Sequence, residues 1–127
     1  HSSSNKINKN SDIYLVDTYG ETQSFMQVCN IVFLGGSLIK HGGQNPLEAA
    51  RLGCKVIHGP YVNNFTEVYN LLEKINISSK IKNINQAEKE IFKNLILKKS
   101  INKNLKKLNN LGKKILVENT KEIKKYL

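Results

Sequence analysis

The sequence predicts an α/β fold, a parallel sheet covered by helices on both faces, and two observations carry the prediction. Apolar-patterned runs at residues 13–16, 30–34 and 55–58 are long enough for buried strands and too short for helices. The segments between them carry helix start signals or apolar residues at helical spacing. Strands alternating with helices imply βαβ units and therefore a parallel, Rossmann-like sheet.

The elements follow in order. Residues 1–12 are Ser, Asn and Lys with a single apolar residue, Ile7, and read as a lead-in. His1-Ser2-Ser3 fits a purification-tag remnant, and the missing initiator Met fits a processed or excised chain. Ile13-Tyr14-Leu15-Val16 reads as a buried strand, and residues 21–28 as a helix carrying Phe25, Met26 and Val28. A second strand over 30–34 runs straight into Gly35-Gly36. Asn45-Pro46-Leu47-Glu48 is a strong helix start: Asn caps, Pro suits the first helical position, and Glu three residues on completes a capping box. That helix stops at Gly53, the usual C-terminal glycine. A third strand over 55–58 is broken by Gly59-Pro60, and Asn63 or Asn64 caps a helix through Val68, Leu71 and Leu72. Residues 77–81 read as a fourth strand. Three lysine-rich helices are expected over 86–98, 100–111 and 113–126. Residues 13–127 thus make one domain.

Charge divides this chain unevenly. Of the net +10, residues 1–73 hold five bases against six acids, while residues 74–127 hold fifteen lysines against four acids. Arg51 is the only arginine. Phosphate and base recognition favour arginine's bidentate fork, so the lysines read as solvated helix faces and nucleic acid is not the expected partner. An anionic membrane surface is the second reading for them. No apolar run reaches the roughly 20 residues of a membrane span, and the first dozen residues show no secretory signal. Cys29 and Cys54 lack metal-ligand spacing, so neither a disulfide scaffold nor a zinc module is expected, and the sequence offers no Asp-x-Asp pair to hold a metal.

In a parallel α/β sheet, ligands gather where strand carboxyl ends lead into helix N-termini. Three such junctions are rich: residues 17–21, 35–48 and 59–65. In the second, the pairs Gly35-Gly36 and Gly42-Gly43 let the backbone approach a ligand, and the helix after Asn45 aims N–H groups at the loop. Ser37 and Asn45 add hydrogen-bonding groups, Lys40 adds charge, and Glu48 suits a pair of ribose hydroxyls. This combination fits a nucleotide sugar. Each feature also has a plainer reading: Glu48 as a capping-box residue, the glycines as turns, His41, His58 and Tyr61 as packing. No spacing supports a covalent nucleophile.

The stretch from Phe33 to Phe65, FLGGSLIKHGGQNPLEAARLGCKVIHGPYVNNF, preceded by Asp17-Thr18-Tyr19-Gly20-Glu21, resembles a known family. It is similar to the C-terminal domain of the 3-deoxy-D-manno-octulosonic acid (Kdo) transferases of lipopolysaccharide synthesis. Their pattern reads DTMGEL, then FVGGSLxxxGGHNPLEPA, then GPHTFNF. Here Tyr19 stands for Met, Gln44 for His, Ala49 for Pro, and Tyr61-Val62-Asn63 for His-Thr-Phe. The resemblance covers residues 13–75 and implies the C-terminal half of a GT-B glycosyltransferase. Such enzymes move Kdo from CMP-Kdo to a lipid A precursor with inversion, on the cytoplasmic face of the inner membrane. It implies donor contacts at Tyr19, Gly20, Glu21, Gly35, Gly36, Ser37, Asn45, Pro46, Leu47 and Glu48, with Lys40, Gln44 and Asn64 in the donor loop. It also implies that the catalytic base and the lipid-acceptor surface belong to an N-terminal domain outside this chain. A GT-B transferase using a UDP-sugar is the alternative.

Overall fold

A computed structural model of the chain describes residues 10–96 and 101–126. Its centre is a three-stranded parallel sheet in the order β1-β2-β3, with β1 at Ile31–Leu34, β2 at Lys55–His58 and β3 at Ser78–Lys80. Ile31 is in register with Lys55 and Val56 with Ser78. Helices α1 (Thr22–Val28), α2 (Leu47–Arg51), α3 (Thr66–Lys74), α4 (Ile84–Ile96) and α5 (Ile101–Ile123) surround it.

The central strand β2 is buried along its whole length, as a strand with neighbours on both edges should be. Side chains alternate across it. Val56 joins Val32 and Leu34 of β1 in a core with Met26, Ala49, Val62 and Tyr69, which places this face under α1, α2 and α3. Ile57, fully buried, points to the opposite face, where α4 returns across β1 and β2. A second cluster joins Ala50, Leu72 and Ile77 to Leu108 and so ties α5 to the domain. Asn104 Nδ2, buried in the first half of α5, adds a 3.3 Å hydrogen bond to Gly53 O.

Local chemistry sets the ends of α2. Asn45 Oδ1 accepts from Leu47 N at 3.0 Å. At the other end Gly53 has φ +83°, with Cys54 N on Ala49 O and Gly53 N on Ala50 O, the paired closing bonds of a Schellman motif.

Four expectations are corrected. Residues 13–16 form no strand: Ile13 is 87% and Leu15 74% exposed, and the run joins no described strand. The run packs against a helix and not in the described sheet: Tyr14 rests on Phe25 of α1, ring centroids 6.0 Å apart. Secondly, neither Asn63 nor Asn64 caps α3. Both lie in a 3₁₀ turn over Asn63–Phe65, and Thr66 Oγ1 bonds back to Val62 O at 3.3 Å. Thirdly, residues 101–123 are one helix, not two. A single glycine costs a helix about 1 kcal/mol, and the apolar stripe Leu108, Leu111, Ile115 keeps its phase past Gly112. Fourthly, Glu48 does not close a capping box. Among the described residues its carboxylate turns to α1 instead. Residues 1–9 and 97–100 lie outside the description, and with them most of the lead-in and the end of the 86–98 helix.

Candidate functional site

Because the strands are parallel, the loops after β1 and β2 emerge at the same end of the sheet, side by side. They are fastened closely there. Ser37 Oγ donates to Leu34 O at 2.6 Å and accepts from Gly59 N at 2.9 Å, while Tyr61 N donates to Ser37 O at 2.9 Å. Gly59 is required at this crossing, because a β-carbon there would collide with the Ser37 carbonyl. Farther along, Asn64 N donates to Gly42 O at 3.2 Å, and Gly43 N to Gly36 O at 3.2 Å. Gly43 sits at φ +76°, where a β-carbon would come within 3.1 Å of the Val62 α-carbon.

Above this joint lie two groups of polar side chains. In the first, α1 and α2 meet: Gln23 Nε2 donates to Glu48 Oε1 at 2.7 Å, and both side chains are exposed. Glu48 is thereby oriented by one oxygen while it remains open to solvent. Glu21, at the head of α1, accepts a hydrogen bond from Thr18. Tyr19 between them is fully exposed, and Gly20 takes φ +85°. The second group lines a cavity of about 490 Å³ formed by Lys40, His41, Gly42, Tyr61, Asn63 and Asn64. Gln44 and His41 lie over Gly36, near enough that a β-carbon there would be 3.2 Å from the His41 ring.

Several expected site residues are placed otherwise than the sequence suggests. Ser37 is fully buried and has given its hydroxyl to Leu34 and Gly59, so it latches two loops together and does not present a ligand group. Pro46 is buried under the loop, and Leu47 turns its side chain to an apolar groove with Val68, Leu72 and Leu111. The helix after Asn45 has five residues and its Leu47 N–H is taken by Asn45, so little dipole is left to aim at an anion. Gly35, Gly36, Asn45 and Glu48 stay at the loop's edge, as does Gln44, whose carbonyl accepts from Tyr69 Oη at 2.9 Å.

Beneath the loops sits a polar cluster that sequence reasoning missed. His58 is buried, its Nδ1 2.8 Å from Gly59 O and its Nε2 3.0 Å from Glu73 Oε1. Burial outweighs the pull of Gly59 and Glu73 and lowers its pKa below the usual 6.5. Tyr69 packs on this ring at 4.1 Å, and burial pushes its phenol up to about 12. Gln23, Tyr69 and Glu73 stand 15 or 25 residues from their partners, so local spacing carries no signal for any of these contacts. Among the described residues no group of three or more His, Cys, Asp or Glu could hold a metal, and no helix is long and apolar enough to cross a membrane.

Fold and loops together define a Rossmann-like α/β domain with glycine loops and an oriented carboxylate at the carboxyl edge of its sheet. Over nearly its whole length the chain is similar to 3-deoxy-D-manno-octulosonic acid transferases. It is 31% identical to the Haemophilus influenzae member over 94% of its own length, and 38% identical to that of Rickettsia prowazekii over 93%. It spans about a quarter of those relatives, 27% of each. Among solved structures, it matches the C-terminal CMP-Kdo binding domain of WaaA from Acinetobacter baumannii with TM-score 0.68 and 23% identity, over 76% of this chain and 51% of that one. No family model matches.

Proposed function

We propose that this chain is the donor-binding domain of a glycosyltransferase that moves Kdo from CMP-Kdo to a lipid A precursor, with inversion, in a GT-B enzyme at the cytoplasmic face of the inner membrane. The kinship supports the transferase, and one observation in the molecule carries the donor role: Glu48, exposed at the head of α2, with one oxygen fixed by Gln23. A carboxylate so oriented suits the paired hydroxyls of a ribose. The glycine loop beside it, from Gly35 to Asn45, offers backbone N–H groups to the phosphate. Lys40 on the adjoining cavity supplies positive charge.

In this reading the chain binds and orients CMP and stabilises charge on it as the glycosidic bond breaks, an electrostatic contribution. The base that activates the acceptor hydroxyl belongs to another part of the enzyme, and no cofactor or metal is assigned to this chain. In this reading the lysine-rich helices take no part in donor binding; contact with an anionic membrane is a subsidiary part of the proposal.

The test is an NMR titration with CMP, UMP and AMP at equal concentrations. CMP-selective shifts at Gly20, Glu21, Gly36, Asn45 and Glu48 are expected. Replacing Glu48→Gln should weaken CMP about tenfold, the worth of a hydrogen bond to a charged group. An equal response to UMP would favour a UDP-sugar donor on the same fold, and no response to any nucleotide would remove the reading.

A further inference from the structure

His58 and Tyr69 take no part in the donor contacts proposed above, yet each gives its polar atom to the backbone of a different site loop. Tyr69 Oη donates to Gln44 O at 2.9 Å, immediately before Asn45 and three positions before α2 begins. His58 Nδ1, 2.8 Å from Gly59 O, holds the loop after β2 at its first residue. The two rings pack at 4.1 Å, so the loop anchors share one body. On one side Tyr69 joins the apolar core, and on the other Glu73 of α3 meets His58 Nε2 while Lys80 of β3 acts on the ring through space. An apolar pair could fill the same volume without the desolvation cost of a buried imidazole and phenol. What the polar pair adds is direction at two carbonyls.

The consequence follows from how the loops are tied elsewhere. Ser37 joins them near their roots, and Gly42 joins Asn64 midway. The last stretch of the first loop, Gln44 and Asn45, sets the entry to α2 and therefore the position from which Glu48 meets Gln23. Tyr69 is the described side chain that ties this stretch to the sheet's core.

We infer that His58 and Tyr69 are positioning residues for the nucleotide, holding the two glycine loops in register so that Glu48 and the loop backbone face one ligand. The inference rests on the donor reading given above. Tyr69→Phe keeps the ring packing and deletes one hydrogen bond. CMP affinity should fall about three- to tenfold, the range one buried hydrogen bond can supply, while amide exchange rises at Asn45 and Leu47. His58→Leu should weaken CMP by a similar factor. His58→Asn, whose side-chain amide stands where Nδ1 stood, should restore affinity to within about twofold of the original. A purely structural role would lower the melting temperature in all three and leave the affinity of the folded protein unchanged, and that result overturns the inference while the donor reading stands. Absence of any CMP response in the unaltered protein overturns both. Should His58→Leu fail to fold, the Phe and Asn variants decide alone.

Discussion

Two glycines show how differently the two halves of this molecule are built. Gly59 lies in the sheet-end loops, where its missing β-carbon is the space through which Ser37 passes. Gly112 lies midway along α5, with nothing within 4 Å of where a β-carbon would go. The first region is a tightly cross-braced set of loops on a buried sheet. The second is a lysine-rich helix whose residues from 112 to 126 are all exposed. The same residue type is therefore a packing requirement in one place and a mild helix weakness in the other. Sequence context alone, a glycine amid polar and apolar neighbours, does not separate them.

Substitutions sharpen this contrast, beginning with the buried sheet. Ile57→Ala removes a fully buried side chain from the central strand and should cost about 2–5 kcal/mol in denaturant unfolding. Gly59→Ala should cost about 1–3 kcal/mol, because the loops must separate to admit a methyl group. Gly112→Ala should do the reverse and stabilise by up to about 1 kcal/mol. If both glycine variants moved stability in one direction, the contrast between the regions would be wrong. Neutralising Lys113 or Lys121 should shift stability by less than about 0.5 kcal/mol, as for solvated surface positions.

A pH titration probes the same contrast without altering volume. His58 has a folded-state pKa lowered by burial, so the unfolded chain binds its proton more readily. Its contribution to stability is complete above the ordinary value near 6.5 and is lost as pH falls through the depressed folded value. The difference in melting temperature between the original protein and His58→Asn should therefore be flat above about pH 7 and narrow below it. A difference that stays constant down to pH 5 would show that the ring does not titrate with folding.

Most of the architecture was legible from local signals. The limits of β2 and the start and glycine stop of α2 follow from short-range chemistry: an apolar run closed by Gly-Pro, and Asn-Pro at one helix end with Gly at the other. Where a prediction needed a distant partner, it failed. Residues 13–16 have strand composition but are no strand of the described sheet, and Gly112 looks like a break until the stripe on either side is seen to stay in phase. The site divides the same way. The glycine pairs, Asn45 and Glu48 stand out in the sequence. Ser37 has the composition of a ligand group, and only its position against Gly59 makes it a latch.

By itself, then, the sequence determined the order of the three strands and of the helices between them, the glycine-rich loops after β1 and β2, and the likeness to the Kdo transferases. Each of these rests on residue type and short spacing. Tertiary structure decided which polar groups remain available to a ligand. Gln23 reaches Glu48, Tyr69 reaches Gln44 and His58 reaches Glu73 across 15 to 25 residues, because parallel strands bring their carboxyl ends to one edge of the sheet however far apart they lie in the chain.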